Sequence, residues 1–221
     1  MLTAISANPV MLPPRELVAS FDVDCEYCFT PECPDEVPVP GGLEIVGELN
    51  EQATFAAYRL GSKDAHSPRA HWVADEDHPP FSPIEGDNMD MHWPEHAVPG
   101  TRGFELIHGL PEVTDYDFFV WKGVELDMHP YGACYHDHAR TLSTGVIEFL
   151  SRQGVTTVLV GGLATDYCVK HTALELNEAG FRVILNRGAA RGVADETTAE
   201  TLRILAAEGI ELIDSTAELA Q

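Results

Sequence analysis

The stretch Thr157–Leu176, TVLVGGLATDYCVKHTALEL, constrains the fold most. A short β-branched, apolar run ends in Gly161-Gly162, and after five further residues Cys168 stands at the start of a pattern with helical spacing. A buried strand thus hands the chain straight to a helix. The same alternation recurs along the chain. Strands are expected at Leu17 to Val23, about Phe55 to Ser62, Tyr116 to Trp121, Thr156 to Gly162, Phe181 to Asn186 and Ile210 to Ile213. Helices are expected from Leu43 to about Gln52 and over Arg140–Gln153, Asp166–Ala179 and Ala194–Glu208. Strands alternating with helices imply parallel βαβ units, and hence a three-layer α/β/α sandwich around a six-stranded, mainly parallel sheet.

The 221 residues suit one domain. Residues 1–16, broken by Pro9, Pro13 and Pro14, read as an N-terminal extension. Residues 67–103 carry many Pro, Asp and His residues without periodicity, and a loop that long inside a compact domain is usually functional or disordered. Thirteen basic residues stand against 36 acidic ones, and a formal charge of −23 argues against nucleic acid or an anionic membrane as partner. Five cysteines, an odd number clustered early, fit a reducing compartment better than a disulfide framework. No segment reaches membrane-span length, and the first residues lack the basic start and unbroken apolar core of a secretory signal. The expectation is a cytoplasmic protein acting on a small molecule, with homo-oligomerisation left open.

In such a sheet ligands bind beyond the carboxyl ends of the strands. Asp22, Asp64 with His66, Lys122 and Cys168 all end or follow an expected strand. A thiol at a helix N-terminus is favoured as thiolate by the helix dipole, and it gains further from a base and a cation nearby. Asp22 and Lys122 supply one of each. A structural ion pair and a cysteine packing as a small hydrophobe are the plain alternatives; the convergence of all three on one edge favours a catalytic set. Loop N–H groups just ahead of the helix suit an oxyanion. Asp64-x-His66, with His71 and His96 further on, offers one carboxylate and imidazoles, a donor set for zinc, iron or manganese. Cys25-x-x-Cys28 offers a second reading, a redox or metal-binding module without hydrolase activity.

These pieces carry a family resemblance. Phe21-Asp22-Val23, Val39-Pro40-Gly41-Gly42, Lys63-Asp64-Ala65-His66, Trp93-Pro94-Glu95-His96 with Gly100-Thr101, Lys122-Gly123, and Gly162-Leu163-Ala164-Thr165-Asp166-Tyr167-Cys168-Val169 run in one order across nearly the whole chain. In that order they resemble the isochorismatase-like cysteine hydrolases, and among these the nicotinamidases. The resemblance implies a metal-dependent amidohydrolase turning nicotinamide into nicotinate and ammonia through a cysteine thioester, in nicotinamide salvage. It implies Cys168 as nucleophile, Asp22 as general base and Lys122 as cationic partner. The N–H groups of Ala164 and Cys168 would form the oxyanion hole, beside a cis peptide between Leu163 and Ala164. Asp64, His66 and His96 would bind one divalent metal, zinc first, with His71 or water as fourth ligand. Tyr27, Trp93 and Tyr131 would line the substrate pocket. Where the family commonly has Val-Gln-x-Asp-Phe after the aspartate, this chain reads Val23-Asp24-Cys25-Glu26-Tyr27. A metal-free relative acting on another small amide, a carbamoyl compound or an isochorismate-like ether is the alternative within the family.

Overall fold

The central runs Val18–Val23 and Thr157–Leu163 are buried along their whole length, the pattern of strands covered by helices on either side, and four further strands pair outward from them. In the computed structural model, which describes residues 9–221, they form one sheet. Its strands are β2 (Val18–Val23), β3 (Tyr58–Asp64), β4 (Phe118–Lys122), β5 (Thr157–Leu163), β6 (Arg182–Arg191) and β7 (Glu211–Ile213). The order is β4-β3-β2-β5-β6-β7, and every neighbouring pair is parallel. Ahead of them the two-residue β1 (Val10–Met11) pairs with β8 (Leu219–Ala220), so part of the expected N-terminal extension is tied to the chain's last residues.

Helices α1 (Val46–Thr54), α2 (Val146–Gln153), α3 (Lys170–Glu178) and α4 (Asp195–Ala207) complete the sandwich. Leu150 of α2, Ala173 and Leu176 of α3 and Leu205 of α4 share one apolar core with Phe21, Val158, Val160 and Val183 of the sheet. On the other face Ile45 and Leu49 pack with Leu163, Ala189 and the side chains of the long loop. The strand order turns around between β2 and β5, with β3 and β4 to one side and β6 and β7 to the other. The carboxyl ends of β2 and β5 therefore flank the crevice where open α/β sheets bind ligands.

Three helices begin later than their spacing suggests, the one expected from Leu43 by only three residues, after a 3-10 turn over Gly42–Ile45. The helix expected from Arg140 starts only at Val146, because the Asp137 carboxylate accepts the N–H groups of Thr141 and Leu142 and fixes a turn there instead. The helix expected from Asp166 opens as a π turn over Thr165–Val169 and becomes α-helical only at Lys170. Conversely, β6 runs on past Asn186 to Arg191, with an irregularity opposite Val160 and Gly162. Gly162 has φ +127°, and a Cβ there would lie 2.0 Å from the Val23 carbonyl oxygen, so only glycine lets β5 pass β2 this closely.

Candidate active site

Lys122, at the end of β4, is fully buried and carries the centre of the site. Its Nζ lies 2.5 Å from Asp64 Oδ1, 2.9 Å from Asp24 Oδ2 and 3.6 Å from Cys168 Sγ, and it also donates to the Pro130 carbonyl at 3.2 Å. Asp24, Asp64 and Cys168 present atoms within 4.8 Å of one another around it. Burial alone would discharge the ammonium, but the two carboxylates outweigh it and hold Lys122 above its ordinary range. Burial likewise opposes the charge on Asp64, yet Lys122 and the neighbouring imidazoles keep that carboxyl well below its usual value. Asp24 is pushed up by burial, which Lys122 only partly offsets. The Cys168 thiol is pushed well up by burial, with Lys122 acting against it and Asp24 and Asp64 reinforcing it. Burial and the two carboxylates thus push toward the thiol form, against the pull of Lys122.

Asp22 is not part of this group. It ends in an ion pair with Arg59, whose Nε and Nη2 lie at 2.8 and 2.7 Å, and it accepts the Tyr116 hydroxyl at 2.9 Å. Asp24 stands instead against Lys122 and Cys168, because the chain leaves β2 after Val23 and turns through a φ of +46° at Asp24. The Ser62 hydroxyl donates to its Oδ1 at 2.7 Å and accepts its N–H at 3.3 Å. Tyr27 is displaced in the same sense. Its hydroxyl accepts the His108 N–H and its ring lies under Arg102, outside the cavity beside Cys168, which Phe29 lines instead. Both corrections are a shift of two residues. The signal was in the spacing: the pattern Asp-Val-Gln-x-Asp-Phe puts Phe five residues after the aspartate, and Phe29 stands five after Asp24.

The expected Trp93, Tyr131, Ala164 and Cys168 do come together, lining with Phe29, Tyr167 and the acid and imidazoles a cavity of about 20 Å³, room for about one water. The Leu163–Ala164 peptide is cis, as the resemblance implied. A broader depression of about 440 Å³ lies between β6 and α4, but it offers no nucleophile, and its Arg187 and Arg191 are held by Asp214 and Glu44. Cys25 and Cys28 are buried free thiols pushed well above their ordinary range by burial, which is the setting of inert core cysteines.

Asp64, His66 and His96 meet at the cavity's end. His66 Nε2 lies 3.4 Å from Asp64 Oδ1, and His96 Nε2 4.0 Å from Oδ2. The far nitrogens are held by carbonyls, His66 Nδ1 by Gly123 at 2.9 Å and His96 Nδ1 by Pro94 at 2.7 Å, which aims both Nε2 atoms inward. Gly123, at φ +68°, permits this approach, since a Cβ there would lie 2.2 Å from the His66 ring. His71 is corrected: it is exposed and touches the site only through a backbone N–H given to Leu126. The third imidazole is His129, from the loop after β4, and its ligand atom lies within 4.8 Å of those of His66 and His96. Spacing could not single it out among ten histidines, because it reaches the others only through the fold. Burial depresses both His96, to about 3, and His129, which favours the neutral form of these two rings, the form that coordinates metal. His66 Nε2 is buried without a hydrogen-bond partner among the described residues, an unmet ligand atom that fits a divalent ion.

An acid, a lysine and a cysteine thus meet at the switch point of a parallel sheet, the set that nucleophilic hydrolysis calls for. Residues 50–217 match the Isochorismatase domain, so the chain belongs to the isochorismatase-domain family. Its relatives there include the nicotinamidase of Acinetobacter baylyi, 30% identical over 163 residues that make up 72% of this chain and 74% of the relative. Among solved structures it resembles the Acinetobacter baumanii nicotinamidase/pyrazinamidase, with a TM-score of 0.83, 27% identity and coverage of 91% of this chain and 98% of that one. The pyrazinamidase of Pyrococcus horikoshii, solved in complex with zinc, superposes with a TM-score of 0.71 at 27% identity, covering 89% of this chain and 98% of the other.

Proposed function

We propose that this protein is a metal-dependent nicotinamidase, hydrolysing nicotinamide to nicotinate and ammonia. That it is a hydrolase acting on a carboxamide C–N bond rests on its relatives. The observation that carries the mechanism is Lys122 Nζ standing between Asp24, Asp64 and Cys168 in a buried cavity.

Asp24 takes the Cys168 proton as the thiolate attacks the amide carbon, and the carbonyl oxygen becomes an oxyanion held by the N–H groups of Ala164 and Cys168. Asp24 then returns the proton to the departing nitrogen, so ammonia leaves and a thioester remains. Water, deprotonated by the same carboxylate, attacks the thioester, and the acid product leaves as the thiol is restored. Lys122 holds Asp24 in place and carries a fixed positive charge next to the sulfur. A divalent ion bound by Asp64, His66 and His96, zinc being the one that suits such ligands, would supply a Lewis-acid anchor for the ring nitrogen of a pyridine carboxamide. Trp93, Tyr131, Phe29 and Tyr167 would pack on the ring.

Ammonia release from nicotinamide, measured beside pyrazinamide and aliphatic amides with and without chelator, tests the reading. Cys168→Ala is expected to abolish release while retaining substrate binding by calorimetry. Release at the wild-type rate in that variant would end the assignment, and a preference for an aliphatic amide would move the substrate elsewhere in the family.

A further inference from the structure

We propose that His129 is a direct ligand of the metal, so that the ion is held by four side chains, Asp64, His66, His96 and His129; this rests on the metal-dependent reading above. Three observations carry it. Nδ1 and Nε2 of His129 are both buried without a hydrogen-bond partner among the described residues, and so is His66 Nε2. A neutral imidazole has one donor and one acceptor, and burying both unmet is costly, so such a ring calls for a partner. The ligand atoms of the three histidines lie within 4.8 Å of one another, and those of His66 and His96 lie 3.4 and 4.0 Å from the Asp64 carboxylate.

The third observation is how firmly the ring is placed. It stacks on Trp93 at 5.6 Å and 8° and meets the Trp72 indole edge-on at 4.5 Å. The His129 N–H is given to the Asn88 carbonyl at 2.8 Å, and its own carbonyl accepts from His138 Nε2 at 3.0 Å. The Trp72 Nε1–H reaches the Met128 carbonyl at 3.1 Å, fastening the residue just before it. Trp72 also fills the space beside the site that a ligand from its own stretch of loop would need, packing at 4.6 Å on His66 and 5.4 Å on His96. The loop after β4 thus supplies what the loop after β3 does not. Three imidazoles and one carboxylate form a four-coordinate shell that favours zinc over ions preferring six oxygen ligands.

Metal-free protein titrated with zinc against a competing chelator, and with cobalt(II) followed by visible absorption, tests the assignment. Wild type is expected to bind one ion and to give the intense spectrum of four-coordinate cobalt. His129→Ala is expected to lower zinc affinity by more than the ~10–100-fold that loss of an outer-shell partner costs, and to weaken the cobalt bands. His71→Ala is expected to match wild type. His129→Cys is expected to add a thiolate-to-cobalt charge-transfer band absent from wild type, a signal that a merely structural histidine would not produce. Wild-type zinc affinity and cobalt spectrum in a folded His129→Ala, with only KM raised, would overturn the assignment and make His129 a substrate contact. Should that variant not fold, a six-coordinate cobalt spectrum in wild type, or no new band in His129→Cys, would overturn it equally. Failure of wild type to bind any ion would overturn the metal reading itself.

Discussion

Two aspartates two residues apart have different partners, and only backbone geometry separates them. Asp22, inside β2, gives its Oδ2 to Arg59 and Tyr116; Asp24, past the strand end, stands beside Lys122 and the thiol. Asp24→Asn is therefore expected to lower kcat by about 10²–10⁴-fold, the usual contribution of a positioned general base, with little change in thermal stability. Asp22→Asn is expected to do the reverse, costing about 1.5–3 kcal/mol through weakened hydrogen bonds to a charged partner while leaving kcat within a few-fold. Denaturant titrations and steady-state kinetics on the pair check this, and loss of chemistry confined to Asp22→Asn would restore it as the base. Lys122, Asp64, His66 and Cys168 were legible because each ends or follows a strand that its own neighbours announce, and His96 only through Trp93-Pro94-Glu95-His96. Asp24 was not, because a left-handed turn at a non-glycine residue leaves no mark in hydrophobic periodicity.

At the level of single elements, strands were read within a few residues and helix starts less well, since side chains distant in space set the latter. The late start of α2 depends on Asp137, and the π turn holding Cys168 depends on Asp166, whose carboxylate accepts the N–H groups of Val193 and Ala194 from the start of α4. The π turn breaks the helical repeat at Cys168, and such breaks are frequent at functional sites. Helix α3 carries a further consequence. Glu175 is buried against the segment after Pro130, and burial lifts its pKa to about 7 despite the Cys134 N–H given to it at 3.0 Å. The folded pKa is raised above the unfolded one, so this residue's contribution to stability is fully present below the unfolded value of 4.5, shrinks as pH rises and is gone above about 7. Glu175→Gln is expected to flatten the fall in unfolding free energy between about pH 5 and pH 8 and to raise it at the upper end by about 3 kcal/mol, the size of such a shift. A wild-type pH profile in that variant would show that the carboxylate finds water after all.

For the whole molecule, the order of six strands and four helices was legible because a doubly covered parallel sheet writes itself as apolar runs alternating with helical spacing. What joins chain ends, as β1 and β8 do over some two hundred residues, has no local signature. Among the described residues no helix is long and apolar enough to cross a membrane. The charge of −23 acts on all of it at once, and self-repulsion among carboxylates should weaken the fold where the Debye length is long. The melting temperature is expected to rise as sodium chloride increases from about 0.01 M to about 0.5 M, and a flat response would mean that local pairing already balances the excess. The loop from Gly123 to Tyr131 sits at the meeting of these levels. Its first residue braces His66, Pro130 accepts from Lys122, His129 enters the imidazole cluster, and Tyr131 walls the cavity with its hydroxyl given to Asp90 at 2.7 Å. Substitutions along it will therefore be epistatic, and sequence drift in this loop is admissible only in concert, since one backbone displacement alters ion affinity, charge placement and ring packing together.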